Sequence, residues 1–180
     1  RDSSQGPRRC GLTLCTDDPA AVERANGRVD SYFSIGALAI ARYRGRLACI
    51  YGKTWHPDTF FSHFDGKGWS KPTLVGRGKP GSAVTLGEKT IFLTMIYRKS
   101  RKVLRLADEK WVDDTPPGFA QGQGGLLCVV GDRVLCFWIK TSQTDAGHRV
   151  ELLESHKSAD GQWSKPRTIA TENLRPETRP

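Results

Sequence analysis

Three times in this chain an aromatic residue stands two places before a lysine: Tyr51 and Lys53, Tyr97 and Lys99, Trp138 and Lys140. On an extended strand residues two apart point to the same side, so each pair presents a ring and an ammonium together. The ring stacks on the apolar face of a sugar, and the ammonium donates to its hydroxyls or to a carboxylate. Trp55 and His56 follow the first pair in "KTWHPD", a polar loop where an indole beside an imidazole makes a recognition surface. These eight residues are the candidate ligand-binding set, and they point to glycan recognition.

A second cluster, "YRKSRK", places Arg98, Arg101 and Lys102 around Lys99. It is the one dense run in a chain whose 28 Lys and Arg outweigh 19 Asp and Glu for a formal net charge of +9. Its chemistry suits an anionic partner, either an acidic glycan or a nucleic acid whose base stacks on Tyr97. A basic module for nucleic-acid or protein interaction is therefore an alternative to the glycan reading.

Catalytic chemistry has less footing. There is no Gly-x-Ser-x-Gly elbow and no phosphate-cradling glycine loop. Four histidines and five cysteines show no metal-ligand spacing and no Cys-x-x-Cys pair, so neither a metal site nor a cofactor is expected. Cys10 and Cys15 have the spacing to close a small disulfide loop, whereas Cys49, Cys128 and Cys136 lie inside apolar runs as small core residues. No run approaches the roughly 18 apolar residues of a membrane span. Arg1 in place of Met points to a processed or excised chain, and a secreted or extracellular location is favoured.

The elements that position these residues come from an internal repeat. A glycine turn followed by an apolar run begins at "RGRLACIY", "LGEKTIFL" and "VGDRVLCF", with Gly45, Gly87 and Gly131 spaced 42 and 44 apart. Trp69, Trp111 and Trp163 recur near the end of each unit. Each unit divides into four β-branched or aromatic runs bounded by turn residues, which predicts four antiparallel strands. "GWSKPTLV" and "QWSKPRTI" are expected to be outermost strands, where proline is tolerated and an edge is blunted by lysine.

These units resemble blades of a β-propeller, similar to the sialidase-like and lectin propellers. In "SHFDGKGW", Ser62, Gly66 and Trp69 keep the spacing of the sialidase-type turn box, while Asp65 falls one place late and Phe64 holds the Asp position. In "SADGQW", Ser158 and Asp160 fit, and the turn is two residues shorter before Trp163. The resemblance implies an all-β fold of three four-stranded antiparallel propeller-type blades, at residues 36–79, 80–123 and 124–172, between an N-terminal extension of residues 1–35 and a tail of residues 173–180. Three blades are fewer than a propeller needs, so the chain is expected to be part of a larger propeller or one completed by a homo-oligomer. The functional expectation is a lectin-like module that recognises a glycan without turnover, with part of a sialidase-like glycoside hydrolase as another alternative.

Overall fold

The computed structural model describes residues 35–53, 57–145, 147–158 and 161–174, and within them the chain is all β apart from one turn of 3-10 helix at Phe119–Gln121. The first sheet holds β1 (Ile35–Tyr43), β2 (Arg46–Lys53), β3 (Asp58–His63) and β4 (Thr73–Arg77). The second holds β5 (Lys79–Leu86), β6 (Thr90–Tyr97), β7 (Ser100–Ala107) and β8 (Lys110–Asp113). The third holds β9 (Gln123–Val130), β10 (Arg133–Thr144), β11 (Gly147–Ser158) and β12 (Arg167–Leu174). Every strand pairs antiparallel with its sequence neighbours inside its own sheet.

Tight turns fix the registers. Arg44 and Gly45 both have positive φ (53° and 74°), as do Asp108 and Glu109 (50° and 65°). Two consecutive left-handed residues make the two-residue connection whose twist matches that of antiparallel strands. The second strands are apolar because both sides of the middle one are covered: Ile91 through Met95 are all buried. Ile91, Leu93 and Met95 face back onto Ala39, Ala41, Tyr43, Ala48, Ile50 and Phe61 of the first sheet. Phe92, Leu86 and Val103 face forward onto Leu127, Val134, Cys136 and Trp138 of the third. We call these sides rear and front. Hydroxyls tie the sheets at their first strands: Thr85 Oγ1 accepts from Arg42 N at 3.0 Å, and Ser82 Oγ accepts from Leu127 N at 3.1 Å.

The propeller is not formed. The three four-stranded sheets stay separate and flat, and none curls or closes into a propeller or barrel. Contacts run from first to second sheet and from second to third, with none of any extent between first and third among the described residues. The period in the forties reports the repeated four-strand meander, which constrains each unit and not the placement of one unit against another. The box around Asp65 is likewise local: its carboxylate accepts from Lys67 N and Gly68 N, both at 2.8 Å, and so closes its own turn. The resemblance to sialidase-like and lectin propellers is therefore overturned, and what stands is an all-β fold of three four-stranded antiparallel sheets.

Trp-Ser-Lys-Pro also takes a different place from that expected. The outer strands start after it, at Thr73 and at Arg167, with one isolated bridge of Trp69 to Phe64 before the first, so the segment is an arm leading into the outer strand. In the first sheet Ser62 Oγ donates to Ser70 O at 2.8 Å and His63 N donates to Ser70 Oγ at 3.1 Å. The third sheet repeats the scheme: Ser155 Oγ donates to Ser164 O at 2.8 Å and His156 N to Ser164 Oγ at 3.0 Å. A serine can supply these bonds from outside the ladder, where the proline that follows removes no ladder donor.

Candidate functional site

The hairpin of β10 and β11 outruns the middle sheet at the end where the second strands finish. There the rear face of the third sheet opens into a cleft of about 530 Å³. Its walls come from three strands and one turn. Trp138 and Lys140 on β10 stand opposite Leu153 and Glu151 on β11, and Leu153 stands opposite Thr168 on β12. Thr141 and Pro166 complete the strand side, while Gly118 and Gln121 close the other.

Trp138 is the anchor of this cleft. It is 2% exposed, meets Phe119 edge-on at 5.7 Å and 83°, and lies under Gly122. A Cβ at Gly122 would stand 2.3 Å from Trp138 Cδ1, so only glycine lets the 3-10 turn lie this close. The indole Nε1 is buried and has no hydrogen-bond partner among the described residues. Such an N–H is costly to leave without an acceptor. The ring is packed and its N–H enclosed, so Trp138 gives the cleft a rigid wall and not a stacking platform. Lys140 is exposed at the rim, and Glu151 is held by Arg149 at 3.1 Å.

The other described sequence candidates lie apart from the cleft. Tyr51 is half-buried on the rear face of the first sheet, 6.0 Å from the ring of Phe60. Desolvation by burial, then the nearby Cys49, raises its phenol above the ordinary tyrosine range. Trp55 and His56 lie outside the described residues, as does the side chain of Lys53. Cys10 and Cys15 lie outside them too, and Cys49, Cys128 and Cys136 are free thiols.

Tyr97 ends β6, and Arg98 folds over its ring with the guanidinium carbon 5.4 Å from the centroid. Arg98 manages this from a left-handed turn position, φ 55°. Lys99 is exposed. Arg101 is half-buried with its Nε enclosed and unpartnered among the described residues, and Lys102 pairs with Asp113 at 2.8 Å. Asp113 is desolvated, which raises its pKa, but the hydrogen bonds from Lys102 and Thr115 prevail and hold its carboxyl below the usual range. So the structure joins Trp138 with Lys140, and separately joins Tyr97, Arg98, Lys99, Arg101 and Lys102 at one basic turn. Both places lie at the end of the sheets where the second strands finish. Gln121, Thr141, Glu151 and Thr168 are cleft residues that sequence reasoning missed. Only the alternation of β11, which puts Glu151 on the side of Leu153, signalled any of them.

No family model matches the chain, and no curated protein matches it. Among solved structures, a chain of the "Crystal structure of Nidogen/Laminin Complex" overlays with a TM-score of 0.47 at 16% identity. The overlay covers 78% of this chain and 50% of that one, so this chain matches half the length of its structural neighbour. A likeness of that extent assigns no function. No group of three or more metal-ligating side chains occurs among the described residues, and no helix there is long and apolar enough to cross a membrane.

Proposed function

We propose that this chain is a binding module for an acidic glycan, which it holds without turning it over. The observation that carries this reading is the cleft beside Trp138, which sets polar side chains in its walls and the exposed Lys140 at its rim. Gln121, Thr141 and Thr168 exchange hydrogen bonds with neighbouring hydroxyls, Leu153 and Pro166 receive the C–H face, and Lys140 takes a carboxylate or sulfate. The basic turn at Arg98 to Lys102 extends the preference for anionic sugars along a longer chain. Hydrolysis by the usual route needs two carboxylates facing one bond. Glu151 lines the cleft, but Glu154, three residues along β11, points to the opposite face and is held there by Arg167 at 2.5 Å. An extracellular setting belongs to the same proposal.

An array of neutral, carboxylated and sulfated glycans tests it. Acidic members are expected to bind, and Lys140→Ala is expected to weaken them about tenfold, the worth of one charge-assisted hydrogen bond. Because Lys140 is exposed, the melting temperature should not move. Equal retention of an oligonucleotide and an acidic glycan, both lost on replacing Arg98, Lys99, Arg101 and Lys102, would favour the nucleic-acid reading instead. Release of free sugar would refute binding without turnover.

A further inference from the structure

The first strands of the three sheets, β1, β5 and β9, lie side by side, and among the described strands each is the end strand of its own sheet. Between them hydroxyls stand in for a ladder. Thr85 Oγ1 on β5 accepts from Arg42 N at 3.0 Å and donates to Arg42 O at 2.5 Å, both on β1. Ser82 Oγ, also on β5, accepts from Leu127 N at 3.1 Å and donates to Leu127 O at 3.4 Å, both on β9. A side chain placed between two backbones keeps them farther apart than the roughly 4.8 Å of a paired ladder. The space so left is a groove of about 490 Å³ that crosses all three strands. It lies by the hairpin turns, at the opposite end of the stack from the Trp138 cleft.

The walls of this groove are apolar. Ile40 and Leu47 stand on the side of the first sheet, Ala83 and Val84 in the middle, and Val129 on the side of the third. Ile40 is 49% exposed and Val129 37%, so this apolar surface is open to a ligand and not sealed in the core. Thr85 lines the groove too, but its hydroxyl is taken up by the Arg42 backbone. Among the described residues Arg42 is then the one charged side chain in the lining. Its Nη2 reaches Gly45 O at 3.5 Å, the long limit of a hydrogen bond, and no acidic side chain among the described residues pairs with it.

We propose that this groove binds a single-chain carboxylate, an amphiphile whose head pairs with Arg42 and whose tail runs over Val84 toward Val129. Charge decides the head: an unpaired guanidinium in an otherwise apolar lining selects an anion, and its planar fork matches a carboxylate. Shape decides the tail: the groove runs from β1 across β5 to β9, and each methylene laid along it leaves water. The site is distinct from the Trp138 cleft and stands whether or not that cleft holds a glycan.

Isothermal titration of the 180-residue chain with decanoate, from about 10 μM to about 1 mM, tests this. Decanoate is expected to bind with a Kd of about 100 μM. Octanoate is expected to bind about fourfold more weakly, about twofold for each methylene half-buried in an open groove. Decylammonium, with the same tail and the opposite head charge, should bind at least about tenfold more weakly than decanoate. Arg42→Gln keeps the backbone bonds to Thr85 and should weaken decanoate about tenfold without weakening decylammonium. Val129→Asn should weaken decanoate and leave its preference over decylammonium in place. Thermal melts check that each variant is folded, and Ile40→Asn, at a more exposed wall position, replaces Val129→Asn where that variant is not. No decanoate binding up to about 1 mM, or equal binding by Arg42→Gln, overturns the proposal. Equal binding of octanoate and decanoate, or a wall substitution without effect, takes the tail out of the groove and overturns it too. Retention on phosphatidylglycerol vesicles without binding of soluble decanoate overturns it in favour of a membrane surface.

Discussion

In the first sheet Ser62 and His63 hold the Trp-Ser-Lys-Pro arm through Ser70, and in the third Ser155 and His156 hold its twin through Ser164, bond for bond. Beyond the serine the two arms part. Trp69 packs on Phe64 of its own sheet. Trp163 instead reaches across to the second sheet, donating Nε1 to Asp114 O at 2.7 Å and to Asp114 Oδ1 at 3.1 Å. Asp114 is itself paired with Lys157 at 2.6 Å and Arg105 at 2.9 Å, and the Lys157 side chain is only 6% exposed. The ammonium of Lys157 also lies 5.9 Å from the Trp163 ring centre. Four identical residues thus close an arm in both places, but whether the arm also joins two sheets depends on what the neighbouring sheet offers. The acid that does the joining lies 49 residues away in sequence.

Removing Asp114 should separate the arms most. Asp114→Ala leaves Lys157 enclosed without its counter-ion and the Trp163 N–H without its side-chain acceptor. A loss of about 3–5 kcal/mol is expected from urea unfolding, the usual cost of stranding one member of a buried ion pair. A loss below about 1 kcal/mol would mean that the pair is solvated and that packing alone joins second sheet to third.

The tryptophans themselves sharpen the contrast. Trp163→Phe forfeits both hydrogen bonds to Asp114 and is expected to cost about 1–3 kcal/mol. Trp69→Phe, measured where the chain is monomeric, gives up contact area within one sheet and should cost less than Trp163→Phe. Equal losses would place the two residues in equivalent surroundings and remove the contrast.

The smallest effect belongs to Asp65. Hydrogen bonds from Lys67 N and then Gly68 N favour its carboxylate and hold its pKa below the ordinary range. The folded chain therefore keeps Asp65 ionised to lower pH than the unfolded chain does. Its contribution is present above the usual carboxylate range and is lost as the pH falls through the lowered value. Thermal melts taken from about pH 6 to about pH 3 should fall less steeply for Asp65→Asn than for the parent. Parallel curves would show that the turn gains nothing from the charge.

Strand positions were legible where an apolar run ends at a turn that dictates register. β2 spans Arg46–Lys53 as the sequence indicates, because Arg44 and Gly45 fix its start. β6 stops at Tyr97 because Arg98 turns left-handed. β10 and β11 run on through polar residues to Thr144 and from Gly147, since backbone pairing continues where side-chain patterning fades. The propeller was misread for a related reason: strand repeats are written locally, whereas closure depends on how whole sheets are placed. The cleft was hidden because it needs Gly122 to lay the Phe119 turn over Trp138, and Thr168 to arrive from the third strand of the wall. Lys157 in "SHKSAD" reads as a surface residue until Asp114 is brought beside it.

Among the described residues each strand pairs only with strands next to it in sequence. For the folding chain this keeps contact order low for an all-β protein, since no ladder among the described strands waits on a distant segment and little loop-closure entropy precedes these pairings. Each meander is thus a unit able to form on its own, and the sheets are made cooperative with one another by the two apolar clusters and by the seams of Thr85, Ser82 and Asp114. The middle sheet, held at both seams, is the last to release its amides to solvent. β12, with all eight residues exposed and β11 its one neighbour among the described strands, is the first to fray.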